Sequence, residues 1–504
     1  MKNNQNQTPL YDALVHYGKN VTATAFDVPG HKLGKGIPKR FKDDVGESIF
    51  TLDVNSMKEL DSLSNPISVI KEAEALAADL FLADNAFFLV NGSTSGLQNM
   101  ILSTCNDNDK IILPRNMHKS AFNAIILAGA HPVYLDPVID QSTGISMGVS
   151  FENVKNTIDA NLDAKAILLL HPTYFGYTSD LKRIIDYAHK ANIAVLVDQS
   201  HGSHFSLHKD FPKSGMELDA DMVTISMHKT GGSLTQSSIL LHKNGLVPFS
   251  KVRSTINLFQ TSSASYLLLA SLDIARHQLA TEKEPRFEAM LKQTKATQIA
   301  LNKLPGIHVL STERCNNDSV YDHDATKLVI DVSAYGLTGF KVYDHFKKHY
   351  NIQLELGETN IVLAIISLGD DKQSLNTLIE AFRDFTQNHP LKNNHKIQPP
   401  IIKTPEMVYT PRKAFFKPST LILLEKSIGM IAADSIMVYP PGIPLVVPGE
   451  KITKDTINTY TYLKREDNIL IGAHHKNDEI YIKVIKPERR HHVKQKNLHR
   501  IMGR

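Results

Sequence analysis

Lys229 stands between a short apolar run, DMVTISM (Asp221 to Met227), and two glycines, Gly231 and Gly232. A lysine placed there is drawn out of water. Partial burial lowers its pKa toward the neutral amine, the form that attacks an aldehyde. Ser226 and His228 flank it and can reach a phosphate or orient a ring. The glycines follow the lysine, so the order required of a nucleotide-binding P-loop is missing. Asp198 closes a second apolar run, IAVLVD (Ile193 to Asp198). An acid at that spot costs desolvation unless it has a partner. A protonated ring nitrogen is one such partner; a metal ion or a helix N-terminus are others. His201 and His204 follow closely, but no third ligand stands at a recognisable metal-site spacing, so no metal is expected.

Two further clusters complete the set. NGSTSG (Asn91 to Gly96) follows the apolar run AFFLV and precedes a helix-like stretch. Glycine permits the tight turn, Ser93, Thr94 and Ser95 supply hydroxyls, and the opening helix supplies N–H groups, which together make an anion cradle. The same residues also suit a plain N-capping turn. His118, in LPRNMHKSAFNA (Leu113 to Ala124), follows a strand-like run and opens another helix-like one. Its imidazole can stack on a flat aromatic group or serve the fold alone. In chain order these are an anion cradle, an aromatic stacker, a strand-end Asp and a strand-end Lys. Pyridoxal 5'-phosphate needs such an arrangement: a phosphate site, a partner for the pyridine nitrogen and an amine.

The elements that must position these groups are legible as well. Six apolar runs begin near Ala86, Lys110, His131, Ala164, Ile193 and Asp221, with amphipathic stretches such as SDLKRIIDYAHKAN (Ser179 to Asn192) between some of them. Continuous apolar strands alternating with helices predict an α/β fold with a parallel sheet covered on both faces. Ligands of such sheets bind beyond the carboxyl ends of the strands, where the polar clusters lie. Residues 1–60 read as an N-terminal arm with loops, 61–285 as the large domain and 286–386 as a smaller α/β domain. The smaller domain holds strand-like TKLVIDV and IVLAIIS and helix-like KQSLNTLIEAFRDFTQ. Residues 387–504 read as a linker and a C-terminal α+β domain, with LILLEKSIGMIAADSI taken as helix-like.

The bulk numbers narrow the class. The chain has 504 residues with 42% apolar content, enough for two or three domains. The two cysteines, Cys105 and Cys315, are too far apart in sequence to suggest a disulfide framework. The N-terminus has no apolar signal-peptide stretch and no run is long enough to span a membrane, so a cytoplasmic protein is expected. The net charge of +4 gives no argument for nucleic acid. The basic stretch Lys486 to Arg500 reads as a solvated tail.

The segments PGHKLG, FFLVNGSTSG, PRNMHKS, HPTYFG, VDQSHGSHF, SMHKTGGSLTQSS, QTSSASYLLLASLDIAR and YPPGIPLVVPGE together resemble the Orn/Lys/Arg decarboxylases of bacteria, and they span residues 29 to 450. The Ser-x-His-Lys and Pro-Pro-Gly-Ile-Pro stretches are specific to that family among enzymes using this cofactor. The chain is similar to the shorter, biosynthetic members of bacillary arginine-decarboxylase type and lacks the N-terminal receiver-like domain of the larger acid-inducible ones. The resemblance implies an aspartate-aminotransferase-like fold (fold type I) and decarboxylation of a basic amino acid. It favours arginine, giving agmatine for polyamine synthesis, over lysine or ornithine. It implies Lys229 as the Schiff-base lysine, Asp198 as the pyridine partner and His118 as the ring stacker. Ser93, Thr94, Ser226 and His228 match phosphate or cofactor contacts, and His201 a residue beside the cofactor. Ser262 and Ser263 match a segment that reaches the neighbouring subunit's phosphate, which implies a homodimer or larger homo-oligomer.

The chain departs from the family's pattern at two places. Ala264 stands where relatives usually carry Pro, and DVNSMKELDSL (Asp53 to Leu63) lacks an acidic residue often found near its start. A cationic substrate needs an acidic partner, for which Glu355, Glu358 and Glu450 are candidates. The nearest competing chemistry is transamination. Aspartate-type transaminases clamp the α-carboxylate with a late arginine, whereas IVLAIISLGDD (Ile361 to Asp371) contains none. Such a clamp would also stabilise the ground state against loss of that carboxylate. A non-catalytic regulatory or RNA-binding protein is the other alternative, opposed by the intact Lys, Asp and His set.

Overall fold

A computed structural model describes residues 4–20, 23–392, 397–398, 403–439, 442–466, 468–477 and 479–487. Most of the basic C-terminal tail lies outside them. Seven strands form the central sheet: β1 (Asn85–Leu89), β2 (Lys110–Pro114), β3 (His131–Leu135), β4 (Ala166–Leu170), β5 (Ala194–Asp198), β6 (Met222–Ile225) and β7 (Ser238–His242). Their order is β1-β7-β6-β5-β4-β2-β3. All six apolar runs read from the sequence are strands of this sheet, and they run parallel to one another.

The seventh, β7, is a correction to the expected all-parallel sheet. It pairs antiparallel with both β1 and β6. The physical reason is the link before it. Between β6 and β7 the only helix is the single turn Met227–Thr230, so the link carries no crossover helix of the kind that returns a chain in parallel.

Alternation along each strand feeds two cores. Phe88, Ile112, Ile167, Val195, Val197 and Val223 face one side; Phe87, Ile111, Leu113, Leu168, Leu196 and Leu240 face the other. Each such buried side chain contributes about 1.5–3 kcal/mol by leaving water. Helices cover both faces. One is α2 (Gly92–Thr104), after β1, which sits close on β6 because residue 96 is glycine. A Cβ at Gly96 would lie 2.1 Å from Thr224 Oγ1.

The N-terminal arm is more ordered than its loop-like composition suggests. It opens with helix α1 (Pro9–Asn20), whose Leu10 and Leu14, one turn apart, are fully buried. Asp273 accepts from the N–H groups of Leu10 and Tyr11 at 3.0 and 3.1 Å, satisfying donors at the helix start. Asp273 lies on a long helix, Tyr266–Leu301, which continues from the large sheet into the smaller unit.

The smaller unit is an antiparallel sheet of β8 (His308–Leu310), β9 (Lys327–Asp331), β10 (Leu356–Gly357) and β11 (Ile361–Ile365), in the order β10-β11-β9-β8. Beyond it, two three-stranded sheets pack with the helix Lys454–Arg465. Here the expected helix over LILLEKSIGMIAADSI gives way to the strands Ser419–Leu423 and Ile436–Tyr439. Gly429 lies between them at φ +83°, which a helix cannot accommodate, and Ser419–Leu423 gains its hydrogen bonds from Ile485–Tyr481 instead.

Candidate active site

Beyond the carboxyl ends of β1, β4, β5 and β6 lies a cavity of about 650 Å³. It is lined by Ser93, Thr94, His118, Asp198, His201, Ser226, His228 and Lys229, so residues from four separate clusters of the sequence meet in one place.

Lys229 lies on the four-residue helix Met227–Thr230, and its Nζ is 2.9 Å from His201 Nε2. Burial is the main force lowering the lysine pKa. Asp198 and Glu355 act against it, and Lys327 adds to it. His201 is pushed well below its ordinary value by burial, then by Lys229 and Lys327, so its ring is neutral. Its Nδ1 is buried without a hydrogen-bond partner among the described residues.

Asp198 ends β5 and is buried. Its Oδ1 accepts from Ser200, from the N–H at 3.1 Å and the hydroxyl at 2.5 Å. His118 is the N-cap of the helix Lys119–Ala128. Its Nδ1 accepts from the Ser120 N–H at 3.3 Å and lies 2.7 Å from the Ser120 hydroxyl. Burial lowers its pKa and favours the neutral ring, and because Nδ1 accepts from the Ser120 N–H the hydrogen of that ring is on Nε2. His228 donates from Nδ1 to the Ser237 carbonyl at 3.0 Å.

The expected anion cradle draws on two elements. Ser93, in the first turn of α2, lies with its Oγ 2.8 Å from Ser226 Oγ. Asn91, the N-cap, makes no side-chain capping bond to the N–H groups of that turn. Gly92, at φ +68°, donates its N–H to the Gln236 carbonyl at 2.8 Å, which joins the α2 loop to the glycine loop after Lys229.

Three predicted residues stand apart. Ser95 is buried and donates to the Gly92 carbonyl rather than lining the cavity. Ser262 and Ser263 are exposed and do not line it. Of the three candidate acids, Glu355 lines the cavity and accepts a short hydrogen bond from the Tyr174 hydroxyl. Glu450 is fully buried elsewhere, in a bidentate pair with Arg115 at 3.1 and 2.9 Å, so it faces a protein cation. Glu358 does not line the cavity.

Residue-by-residue reading missed Tyr174, Asn116, Thr235, Gln236, Ile443 and Ile471, which also line the cavity. Tyr174 stands within HPTYFG, and its ring meets that of His201 edge-on at 4.5 Å. A strand-end position after β4 was the available signal. Ile443 follows the Pro-Pro-Gly stretch and brings the C-terminal unit to the cavity rim.

The residues present fit pyridoxal phosphate. There is a hydroxyl-rich helix start for the phosphate, a carboxylate at a strand end for the ring nitrogen, a neutral imidazole beside the ring and a buried amine for the aldehyde.

A central sheet with six parallel strands and one antiparallel strand, with such a site at its carboxyl edge, defines the fold type I class of pyridoxal-phosphate enzymes. Ureidoglycine–glyoxylate aminotransferase from Bacillus subtilis shares the fold at a TM-score of 0.51 and 14% identity, covering 65% of this chain and 87% of that one. The lysine decarboxylase of Francisella novicida shares much more of it, with a TM-score of 0.84 and 22% identity over 95% of this chain and 81% of that one. Residues 8–374 match the Orn/Lys/Arg decarboxylase major domain and residues 395–470 the C-terminal domain of the same family. An arginine decarboxylase of Bacillus anthracis is 40% identical over 90% of this chain and 92% of its own length. The chain belongs to the Orn/Lys/Arg decarboxylase family and is a decarboxylase.

Proposed function

We propose that the substrate is arginine, converted to agmatine and CO₂, with pyridoxal phosphate attached at Lys229. The observation that carries the substrate class is Glu355. It is a carboxylate held by Tyr174 on the wall of the cavity that contains Lys229. A guanidinium matches a carboxylate in a planar, two-bond geometry, which an ammonium cannot do. The arginine decarboxylases among the relatives support the choice of arginine over lysine and ornithine.

When bound, pyridoxal phosphate supplies the electron sink for the pair left behind by departing CO₂. Ser93, Thr94, Ser226 and the start of α2 hold its phosphate. Asp198 keeps a proton on the ring nitrogen, fixed by Ser200 on its other side. His118 covers one face. Lys229 provides the amine, and His201 accepts a hydrogen bond from it. Glu355 and Tyr174 hold the far end of the substrate, leaving the α-carboxylate toward the cavity wall, which carries no arginine among the described residues. That favours decarboxylation over transamination, because no guanidinium clamps the leaving carboxylate. Lys229 is the group positioned to return a proton to Cα; His228, whose single hydrogen in the neutral ring is committed to the Ser237 carbonyl, does so only from its protonated form.

The working unit is a homodimer in the cytoplasm. Ser262 and Ser263, exposed and outside the lining of this chain's own cavity, serve the neighbour's phosphate. Exposed Phe26, Val28 and Phe41 of the N-terminal arm supply apolar surface for the contact. Among the described residues no helix is long and apolar enough to cross a membrane.

The test is an assay of purified protein with arginine, lysine and ornithine, following agmatine, cadaverine and putrescine together with CO₂. Arginine is expected to give the highest kcat/KM. A preference for lysine or ornithine overturns the substrate, and keto-acid formation without CO₂ overturns the reaction.

A further inference from the structure

Lys229 rides on a helix of four residues. A single turn is below the length at which a helix sustains itself in water, so its surroundings must hold it. Two side chains tie it down. On one side His228 bonds to the Ser237 carbonyl. On the other, Thr230 Oγ1 lies 2.6 Å from Ser203 Oγ and 3.3 Å from His204 Nδ1.

From His204 the contacts cross between sheets. His204 Nε2 is 3.1 Å from Asp324 Oδ2, and the same oxygen accepts from Lys327 Nζ at 2.9 Å. Asp324 Oδ1 accepts from the N–H and the hydroxyl of Thr326 at 3.0 and 2.8 Å. Lys327 opens β9 of the smaller sheet, whereas His204 lies in the loop after β5. Lys327 Nζ also reaches the His201 carbonyl at 3.4 Å. Asp324 and Lys327 are both fully buried, and His204 is 2% exposed.

Fully burying a lysine and an aspartate is a poor way to gain stability. The desolvation cost offsets the attraction, and an apolar pair of similar volume often holds two elements as well. The charged pair has another consequence here. It fixes both routes to the cofactor lysine, the Thr230 hydroxyl and the His201 loop.

We propose that Lys327, Asp324 and His204 form a positioning relay that ties the smaller sheet to the Lys229 turn, through Thr230 on one side and His201 on the other. The proposal rests on the reading that Lys229 carries pyridoxal phosphate. Burial alone would raise the Asp324 carboxyl, but Lys327 and His204 outweigh it and hold it well below the usual range. The relay therefore places fixed charge near Lys229. The other charged or titratable groups around that amine are Asp198, Glu355, His118, His201 and His228.

Thr230→Val cuts the relay at the lysine end with almost no change of shape and none of charge. In the full-length protein it is expected to weaken pyridoxal phosphate binding at least tenfold while the cofactor-free protein still melts cooperatively, at a somewhat lower temperature because Ser203 and His204 lose a partner, and Thr230→Ser is expected to restore binding. Lys327→Met removes a cation and leaves Asp324 unbalanced. In cofactor-free protein the pH midpoint for acylation of Lys229, read by peptide mass spectrometry, is expected to rise. If Lys327→Met does not fold, the Thr230 variants decide alone. A folded Thr230→Val protein that binds pyridoxal phosphate at Lys229 as tightly as the parent overturns the relay. A parent protein that attaches no pyridoxal phosphate at Lys229 overturns the functional reading beneath it, so the two failures are distinct.

Discussion

Nζ of Lys229 lies 2.9 Å from Nε2 of His201, and both groups sit where positive charge is disfavoured. For each, burial is the main cause. Lys327 pushes both further down, while Asp198 and Glu355 pull Lys229 back up. The lysine amine is therefore neutral at a lower pH than an exposed lysine. In cofactor-free protein, acylation of Lys229 should show a pH midpoint below that of Lys155, whose pKa is raised mainly by its hydrogen bond to Asp159. Equal midpoints would mean that the site does not prepare the amine.

Asp198 separates two effects that act in opposite directions. Asp198→Asn removes an attraction that raises Lys229, so the same acylation midpoint should fall further. Turnover should fall too, by about 10²–10³-fold, the scale for losing one preorganised electrostatic contact. A variant with faster acylation and normal turnover would show that Asp198 does not act on the ring nitrogen.

Glu355 is expected to act on binding. Glu355→Gln keeps the shape and loses the charge, costing about 1.5–3 kcal/mol for a charged hydrogen bond, or roughly 10–100-fold in KM for arginine. The kcat should change far less, because this end of the substrate does not react. Tyr174→Phe, which leaves the carboxylate in place, should have the same sign and a smaller size. Steady-state kinetics on both variants check this.

Glu74 carries a stability prediction unconnected with catalysis. Its carboxyl is pushed up to about 7, chiefly by burial, with Arg253 and the Phe88 N–H partly compensating. The folded chain therefore holds a proton that the unfolded chain releases near pH 4.5. Stability from this group is complete below that pH and is lost as pH rises toward 7, by about 3 kcal/mol in total. Glu74→Gln cannot ionise and should remove this loss. Thermal melts of parent and variant at pH 5 and pH 7 should differ in slope in that direction; parallel slopes would contradict it.

Legibility in the sequence followed the range of the interactions. The six parallel strands were visible because strands buried on both faces carry unbroken runs of Ile, Val and Leu. β7 has the same composition, in SSILLH, but its antiparallel sense goes with a link that holds only a single helical turn and no crossover helix. Lys229, Asp198 and His118 were legible because each is a polar group where an apolar run ends. The pairing of Tyr174 with Glu355 was not, since 181 residues separate them and each is unremarkable in its own segment. Glu450 is a candidate substrate partner by its own segment alone, whereas in the fold it faces Arg115, 335 residues away in sequence. The strand Ser419–Leu423 reads as helix in sequence because a short apolar run has no decisive period. Its pairing partner, Glu479–Ile485, settles the matter only in three dimensions.

The most direct test of the central claim is a peptide map of the protein loaded with pyridoxal phosphate and reduced with borohydride. The phosphopyridoxyl group should be found on Lys229 and should disappear from Lys229→Ala protein, together with at least about a 1,000-fold loss of CO₂ release from arginine, the scale on which removal of a covalent catalytic group acts. A label on another lysine, or normal turnover by the Lys229→Ala variant, would contradict it.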